Sequence, residues 1–194
     1  MSVLARLPEC EVGMLSEYLS GAIPQMIERG RELIAKIPRD LPRDYDTLSL
    51  TCRHQINHLI SQLNYIHKQL ADDTYQAERL RSFKRIVADM DFIETIGVAA
   101  LDRALDEDHK LNVLLEKIAR EISYPRSIPV VTTLSQQYFC IYPELNLLCV
   151  PLTEGKFLLH LPDLYHELAH PIFKDENDPL VEPFQHKFWE SLLN

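Results

Sequence analysis

Apolar residues recur at helical spacing along the chain as far as Ile122. The clearest run is Leu48, Cys52, Ile56, Leu59, Leu63, Ile66 and Leu70, which steps by three or four throughout and predicts one amphipathic helix of about six turns. Similar stripes run through Leu15, Leu19, Ala22, Met26 and Leu33, through Leu80, Phe83, Val87, Met90 and Ile93, and through Leu111, Leu115, Ile118 and Ile122. Four main helices are expected, and Gly97 is where the third would break. Turn chemistry separates them: Pro38 to Asp46 holds Pro38, Pro42 and five charged residues, Asp72 and Asp73 precede Thr74, and Asp106 to Asp108 forms an acidic cluster. Short connections of this kind favour antiparallel neighbours, so the region reads as a helical bundle or array whose stripes are core.

The pattern changes after Tyr124-Pro125. Pro129 to Leu134 and Tyr138 to Tyr142 are rich in β-branched and aromatic residues, and Leu147 to Leu152 and Phe157 to Leu161 are short apolar runs. Three or four short strands in an antiparallel meander are expected. A turn at Pro143-Glu144-Leu145-Asn146 would set Cys140 opposite Cys149, as two small neighbours across a hairpin rather than a redox pair, because nothing nearby in the sequence would lower a thiol pKa. The expected fold class is α+β and mainly helical: a helical region over 1–124, then a smaller region over 125–194 with a meander, a helix carrying the motif below, and a C-terminal helix.

Composition narrows the function classes. The chain has 194 residues, ample for a core, and with 20 Lys+Arg against 29 Asp+Glu its net charge is −9. That balance argues against a protein that tracks phosphate backbones. No run approaches the roughly 20 apolar residues needed to span a bilayer, and Met1 to Cys10 has neither the basic start nor the apolar run of a signal peptide. The four cysteines, Cys10, Cys52, Cys140 and Cys149, show no CxxC spacing, which suits reduced thiols and a cytoplasmic protein.

Candidate chemistry is concentrated in His160-Leu161-Pro162-Asp163-Leu164-Tyr165-His166-Glu167-Leu168-Ala169-His170-Pro171, which contains HExxH. On a helix, residues four apart share a face, so His166 and His170 can both direct an imidazole nitrogen at one Zn²⁺. Glu167, one step round, can reach a metal-bound water without being a ligand and act as its general base. Pro162 suits the first turn of a helix and Asp163 its N-terminus, while Leu164, Leu168 and Ala169 supply apolar neighbours.

These residues resemble the active-site helix of the zincin metallopeptidases, in which such a helix packs beneath a small sheet whose edge strand binds extended peptide. The resemblance covers about Ile128 to Asn194. Two positions depart from it: Asp163 stands where a small or β-branched residue is usual, and Pro171 follows the second histidine, where it should end or kink the helix. The metzincin continuation is absent, since Phe173 stands where Gly is expected and Glu176 where the third His would be. In gluzincins the third ligand is a Glu on a second helix, and Glu190 follows His170 after nineteen intervening residues. Phe184, Phe188, Trp189 and Leu192 give that segment an apolar face. His186 is the main rival ligand, with Glu182, Glu176 and Asp175 behind it.

Further candidates are His160 and Tyr165, close to the motif, as oxyanion stabilisers, and His54 with His58, which repeat the i, i+4 spacing without a carboxylate between them. The leading expectation is a zinc-dependent peptidase. His166, His170 and Glu190 would hold the metal, Glu167 would be general base, and the strand around Leu147 to Leu152 would align the peptide. The alternative is a helical interaction or regulatory protein, with a partner on its N-terminal helices and a structural or inactive metal site.

Overall fold

The computed structural model describes residues 9–71, 75–104, 106–135, 138–151 and 161–173. Its elements are α1 (Glu9–Lys36), a 3₁₀ turn (Arg43–Tyr45), α2 (Asp46–Lys68), α3 (Gln76–Phe92), a π-helical turn (Ile93–Val98), α4 (Ala99–Asp102), α5 (Asp106–Glu121), β1 (Val130–Ser135), β2 (Cys140–Tyr142), β3 (Leu147–Pro151) and α6 (Leu161–Phe173). The α+β, mainly helical class is therefore observed, with one three-stranded sheet among the described residues. The elements form two compact units, Met1–Arg39 with Ser49–Ala99, and Asp40–Leu48 with Ala100–Asn194. Among the described residues no helix is long and apolar enough to cross a membrane.

In the first unit the α2 stripe is core as expected, with Cys52, Ile56, Leu59, Leu63 and Ile66 buried. On α1 only Leu19 and Leu33 of the expected stripe are buried: Leu15, Ala22 and Met26 are half-buried, and the buried face runs through Ile23 and Ile27 instead. Each such aliphatic side chain removed from water is worth about 1.5–3 kcal/mol. On α3 the buried face is turned relative to the apolar stripe. Gln76, Arg79, Phe83, Ile86 and Met90 are buried, whereas Leu80 and Val87 are only half so. The C-terminal carbonyls of α1, which have no partners within the helix, are met by Arg53, whose guanidinium donates to Ile34 O at 3.2 Å and Ile37 O at 3.1 Å. Gly97, the expected break, lies within the π turn rather than ending the helix. Arg29 pairs with Glu94 there and with Asp91 of α3, and the hydrogen bond to Glu94, ahead of the other contacts, raises the arginine's pKa.

The second unit divides the chain at a different place from the composition change at Tyr124. The last helix of the predicted bundle, α5, belongs with the sheet: Leu115 and Ile118 share one core with Val131, Ile141, Leu148, Val150 and Leu168. Helical periodicity reports which face of α5 is apolar, and is silent on what that face covers.

The sheet is mixed, not an antiparallel meander. Strand order is β1-β3-β2, with β3 parallel to β1 and antiparallel to β2. The cause is visible in β3: all five of its residues are buried, and an unbroken apolar run belongs in the centre of a sheet rather than on a half-solvated edge. The hairpin itself follows the expected register. Leu145 N bonds to Tyr142 O and Asn146 N to Pro143 O, Asn146 adopts φ 50°, which asparagine tolerates well, and Cys140 pairs with Cys149.

On the outer edge of β1, Asn112 of α5 acts as a short piece of strand. Its Oδ1 accepts from Val131 N at 2.8 Å and its Nδ2 donates to Val131 O at 3.0 Å. One turn earlier Asp108 is fully buried. It accepts from the Tyr45 hydroxyl at 2.8 Å and from Thr133 Oγ1 at 2.9 Å, so a cluster of donors replaces the water that its carboxylate gave up. Burial, then the hydrogen bond to Asp108, raises the Tyr45 pKa strongly.

Candidate metal centre

Helix α6 begins with Leu161-Pro162-Asp163, so the proline occupies the first turn, where its missing N–H costs nothing, and the aspartate faces the positive end of the helix dipole. Leu168 is buried and Leu161 and Leu164 pack on the same core, a three- and four-residue spacing that fixes which side of α6 meets the sheet. His166 and His170 then fall on the exposed side, with Glu167 at the boundary. The helix carries through Pro171 to Phe173 instead of ending at His170. Since a proline withdraws only its own N–H, the Glu167 carbonyl is the one left without its i+4 donor.

The motif residues converge. Candidate ligand atoms of His166, Glu167 and His170 all lie within 4.8 Å of one another. Nε2 of His166 and Nε2 of His170 are 3.2 Å apart, with the rings at 88°. Two imidazole nitrogens bound to one zinc at about 2.0–2.1 Å with a tetrahedral angle between them would be about 3.3–3.4 Å apart. The helix therefore presents the two nitrogens at close to the separation a tetrahedral ion requires.

Glu167 has a second engagement that its sequence position did not reveal. Its Oε2 accepts the main-chain N–H of Ile141 at 2.9 Å. Ile141 is in β2, an edge strand among the described residues, and this amide points away from β3. The carboxylate thus ties α6 to the sheet, while the other oxygen accepts no hydrogen bond among the described residues. No residue type announces such a bond: the only signal was that a glutamate follows a histidine on a helix placed after a strand.

Several expectations fall elsewhere. Glu190, His186, Glu182, Glu176, Asp175 and His160 lie outside the described residues. Tyr165 is 41% exposed, on the solvent side of α6. The strand expected to align a peptide is not an edge: β3 is hydrogen-bonded on both sides, so its backbone has no free row to offer, and Leu152 lies outside the described residues. His54 and His58 are exposed on α2, and Nε2 of His58 is 2.9 Å from Nε2 of Gln62. His58 also borders a groove of about 1210 Å³ between α2 and α3, floored by Leu59, Ile66 and Ile86.

The chain matches no known protein family, no curated protein and no solved structure.

Proposed function

We propose that the chain is a zinc-dependent hydrolase of amide bonds, with peptides as the substrate class, and that His166 and His170 hold the metal. The observation that supports this most is the 3.2 Å between the two Nε2 atoms. Glu167 is the general base in this reading. Its Oε2 is fixed by the Ile141 amide, which orients the carboxylate and leaves Oε1 to take a proton from water. Zinc, when bound, lowers the pKa of a bound water and polarises the carbonyl under attack. Glu190 completes the ligand set, as the gluzincin-like spacing suggests. The cysteine spacing, without CxxC, supports a reducing, cytoplasmic setting.

The test has two stages. Metal content and zinc titration of the full chain come first, with His166→Ala and His170→Ala each expected to lower affinity by 100-fold or more, on the order of what losing a ligand costs. Hydrolysis of a fluorogenic peptide library is then compared with that of Glu167→Gln, expected to be at least about 100-fold slower. A protein that binds no zinc, or one whose hydrolysis survives Glu167→Gln, rejects the reading.

One observation favours a second reading, in which α6 is structural and the long helical region carries the protein's role by binding a partner. The Glu167 carboxylate already has a partner in the fold, so its place beside two histidines has an architectural explanation. If zinc binds with four protein ligands and no hydrolysis is found, this reading stands in place of the first.

A further inference from the structure

The Cys140 and Cys149 pair is defined more closely by the structure than by the sequence. The two residues are direct cross-strand partners in the β2–β3 hairpin, so their side chains leave the same face of the sheet. The Ile141 amide identifies the kind of pair. It points away from β3 toward Glu167, which makes Ile141–Leu148 a non-hydrogen-bonded pair and places Cys140–Cys149 at the adjoining hydrogen-bonded position. Cα atoms at such a position are about 5.5 Å apart. That separation falls in the range of about 4.4–6.8 Å that a disulfide spans, while the Cβ atoms, at the wider end of about 4.5–5.5 Å for such a pair, must draw together to about 3.5–4.5 Å as the bond forms.

Access is asymmetric. Cys149 is 3% exposed, whereas Cys140 is half-buried on the edge strand. The Tyr142 hydroxyl, two residues on and on the same face, is pushed up to about 12 by burial first and then by its hydrogen bond with Cys140. Cys52 is fully buried in the other unit, so it serves as an internal control.

We infer that Cys140 and Cys149 form a reversible disulfide across the hairpin when the protein meets a low-molecular-weight disulfide such as oxidised glutathione. Cys140 Sγ, as thiolate, attacks one sulfur of the oxidant. The oxidant's S–S bond breaks, one thiolate leaves, and a mixed disulfide forms on Cys140. Cys149 Sγ loses its proton to solvent and attacks the Cys140 sulfur, expelling the second thiolate as the Cys140–Cys149 bond forms. The protein gives up two electrons and two protons, and the oxidant becomes two thiols. Burial, with a smaller contribution from Cys140, pushes the Cys149 thiol up to about 12, so the second step is the slow one.

The bond would staple β2 to β3 at the pair next to the amide that holds Glu167. Disulfide formation does not depend on the metal reading; only its effect on the activity at Glu167 rests on that reading. In a reducing compartment such a pair is a sensor, closed under oxidative stress and reopened by thiols.

The test treats the full chain with oxidised glutathione, then alkylates free thiols after unfolding and maps the peptides by mass spectrometry. Cys140 and Cys149 are expected to escape alkylation together, with the loss of two hydrogens, while Cys52 is alkylated in full and dithiothreitol restores both thiols. In Cys149→Val the same treatment is expected to leave glutathione on Cys140. Free thiols at both positions in the treated protein, a lasting glutathione adduct on Cys140 of the unsubstituted chain, or pairing of either cysteine elsewhere would overturn the inference. Hydrogen exchange at the Ile141 amide is expected to slow by about tenfold or more on oxidation, and unchanged exchange would overturn the coupling to Glu167.

Discussion

Ile141 donates its main-chain N–H to Oε2 of Glu167 at 2.9 Å, so the carboxylate between the two histidines also closes an edge of the sheet. The opposite edge is closed in the same way, by the Asn112 side chain on Val131. Among the described residues, backbone groups on both edge strands are met by polar side chains of helices packed on the same core: Glu167 on β2, and on β1 Asn112 together with Asp108, which accepts from Thr133 N at 3.3 Å. For Glu167 this separates two roles by substitution. Glu167→Gln keeps an oxygen acceptor for Ile141 and is expected to cost less than about 1 kcal/mol of stability, whereas Glu167→Ala leaves the amide unmet and costs about 1–3 kcal/mol. Urea unfolding of the metal-free protein measures both. Equal losses for the two variants would mean that the tether needs the negative charge, and no loss for either would mean that it carries no stability.

How far these edges were readable from the sequence depends on the residue. The α2 stripe from Leu48 to Leu70 is buried throughout, because a helix that packs along one side must place its apolar residues three and four apart. The hairpin register was also readable, since four turn residues between two short apolar runs leave one in-register pairing. The neighbour of β3 on its other side was not. A parallel pairing between β1 and β3 is decided by long-range burial, and the sole local trace of it is the unbroken apolar character of Leu147 to Pro151. His166 and His170 converge as i, i+4 geometry requires. The Ile141 tether depends on where α6 lands, which no spacing within the helix encodes.

Stability is expected to fall steeply in alkali. Burial pushes the thiols of Cys52 and Cys149 from an ordinary 9.0 up to about 12, and burial and Asp108 raise the Tyr45 hydroxyl. In each case the folded state holds its proton more tightly than the unfolded chain. The contribution is therefore complete below the unfolded value and is lost as pH rises from about 9 through the folded value, at up to about 1.4 kcal/mol per pH unit for each group. Urea midpoints measured under reducing conditions from about pH 8 to pH 10.5 test this. Tyr45→Phe and Cys52→Ala should each flatten the decline. A profile that stays level across that window would show that these groups ionise alike in both states.

Two glycines on α1 make a matched comparison. A Cβ at Gly21 would meet nothing within 4 Å, so Gly21→Ala is expected to stabilise by about 0.5–1 kcal/mol through the lower backbone entropy of the unfolded chain. At Gly30 the same atom would lie 3.0 Å from both Cγ1 and Cδ1 of Ile60 and 3.2 Å from Cε of Met90. The Met90 end can swing aside, but Cγ1 of Ile60 is anchored near its backbone. Gly30→Ala is therefore expected to be destabilising by about 1 kcal/mol despite the same gain in helix propensity. Thermal melts of the two variants should move in opposite directions. A gain at both positions would mean that α1 and α2 pack less closely than the Gly30 contact implies.

Asn112 gives the sharpest test of edge closure. Asn112→Leu keeps much of the volume but leaves Val131 N, on a residue that is 1% exposed, without a side-chain partner, and Val131 O with the Tyr45 hydroxyl at 3.2 Å. The amide has no such substitute, so the expected loss is about 1–3 kcal/mol. Asn112→Asp preserves an acceptor for Val131 N but removes the donor to Val131 O and sets a second buried carboxylate one turn from Asp108. Like charges at that distance favour protonation of one of them, which raises the folded pKa of the new carboxyl. The sign then follows: this variant should recover stability as pH falls toward the carboxylate range, whereas Asn112→Leu should show no such recovery. Urea unfolding at neutral and mildly acidic pH, with hydrogen exchange read at the Val131 amide, distinguishes the two. Unchanged exchange at Val131 in Asn112→Leu would show that the outer edge of β1 is protected by something other than this side chain.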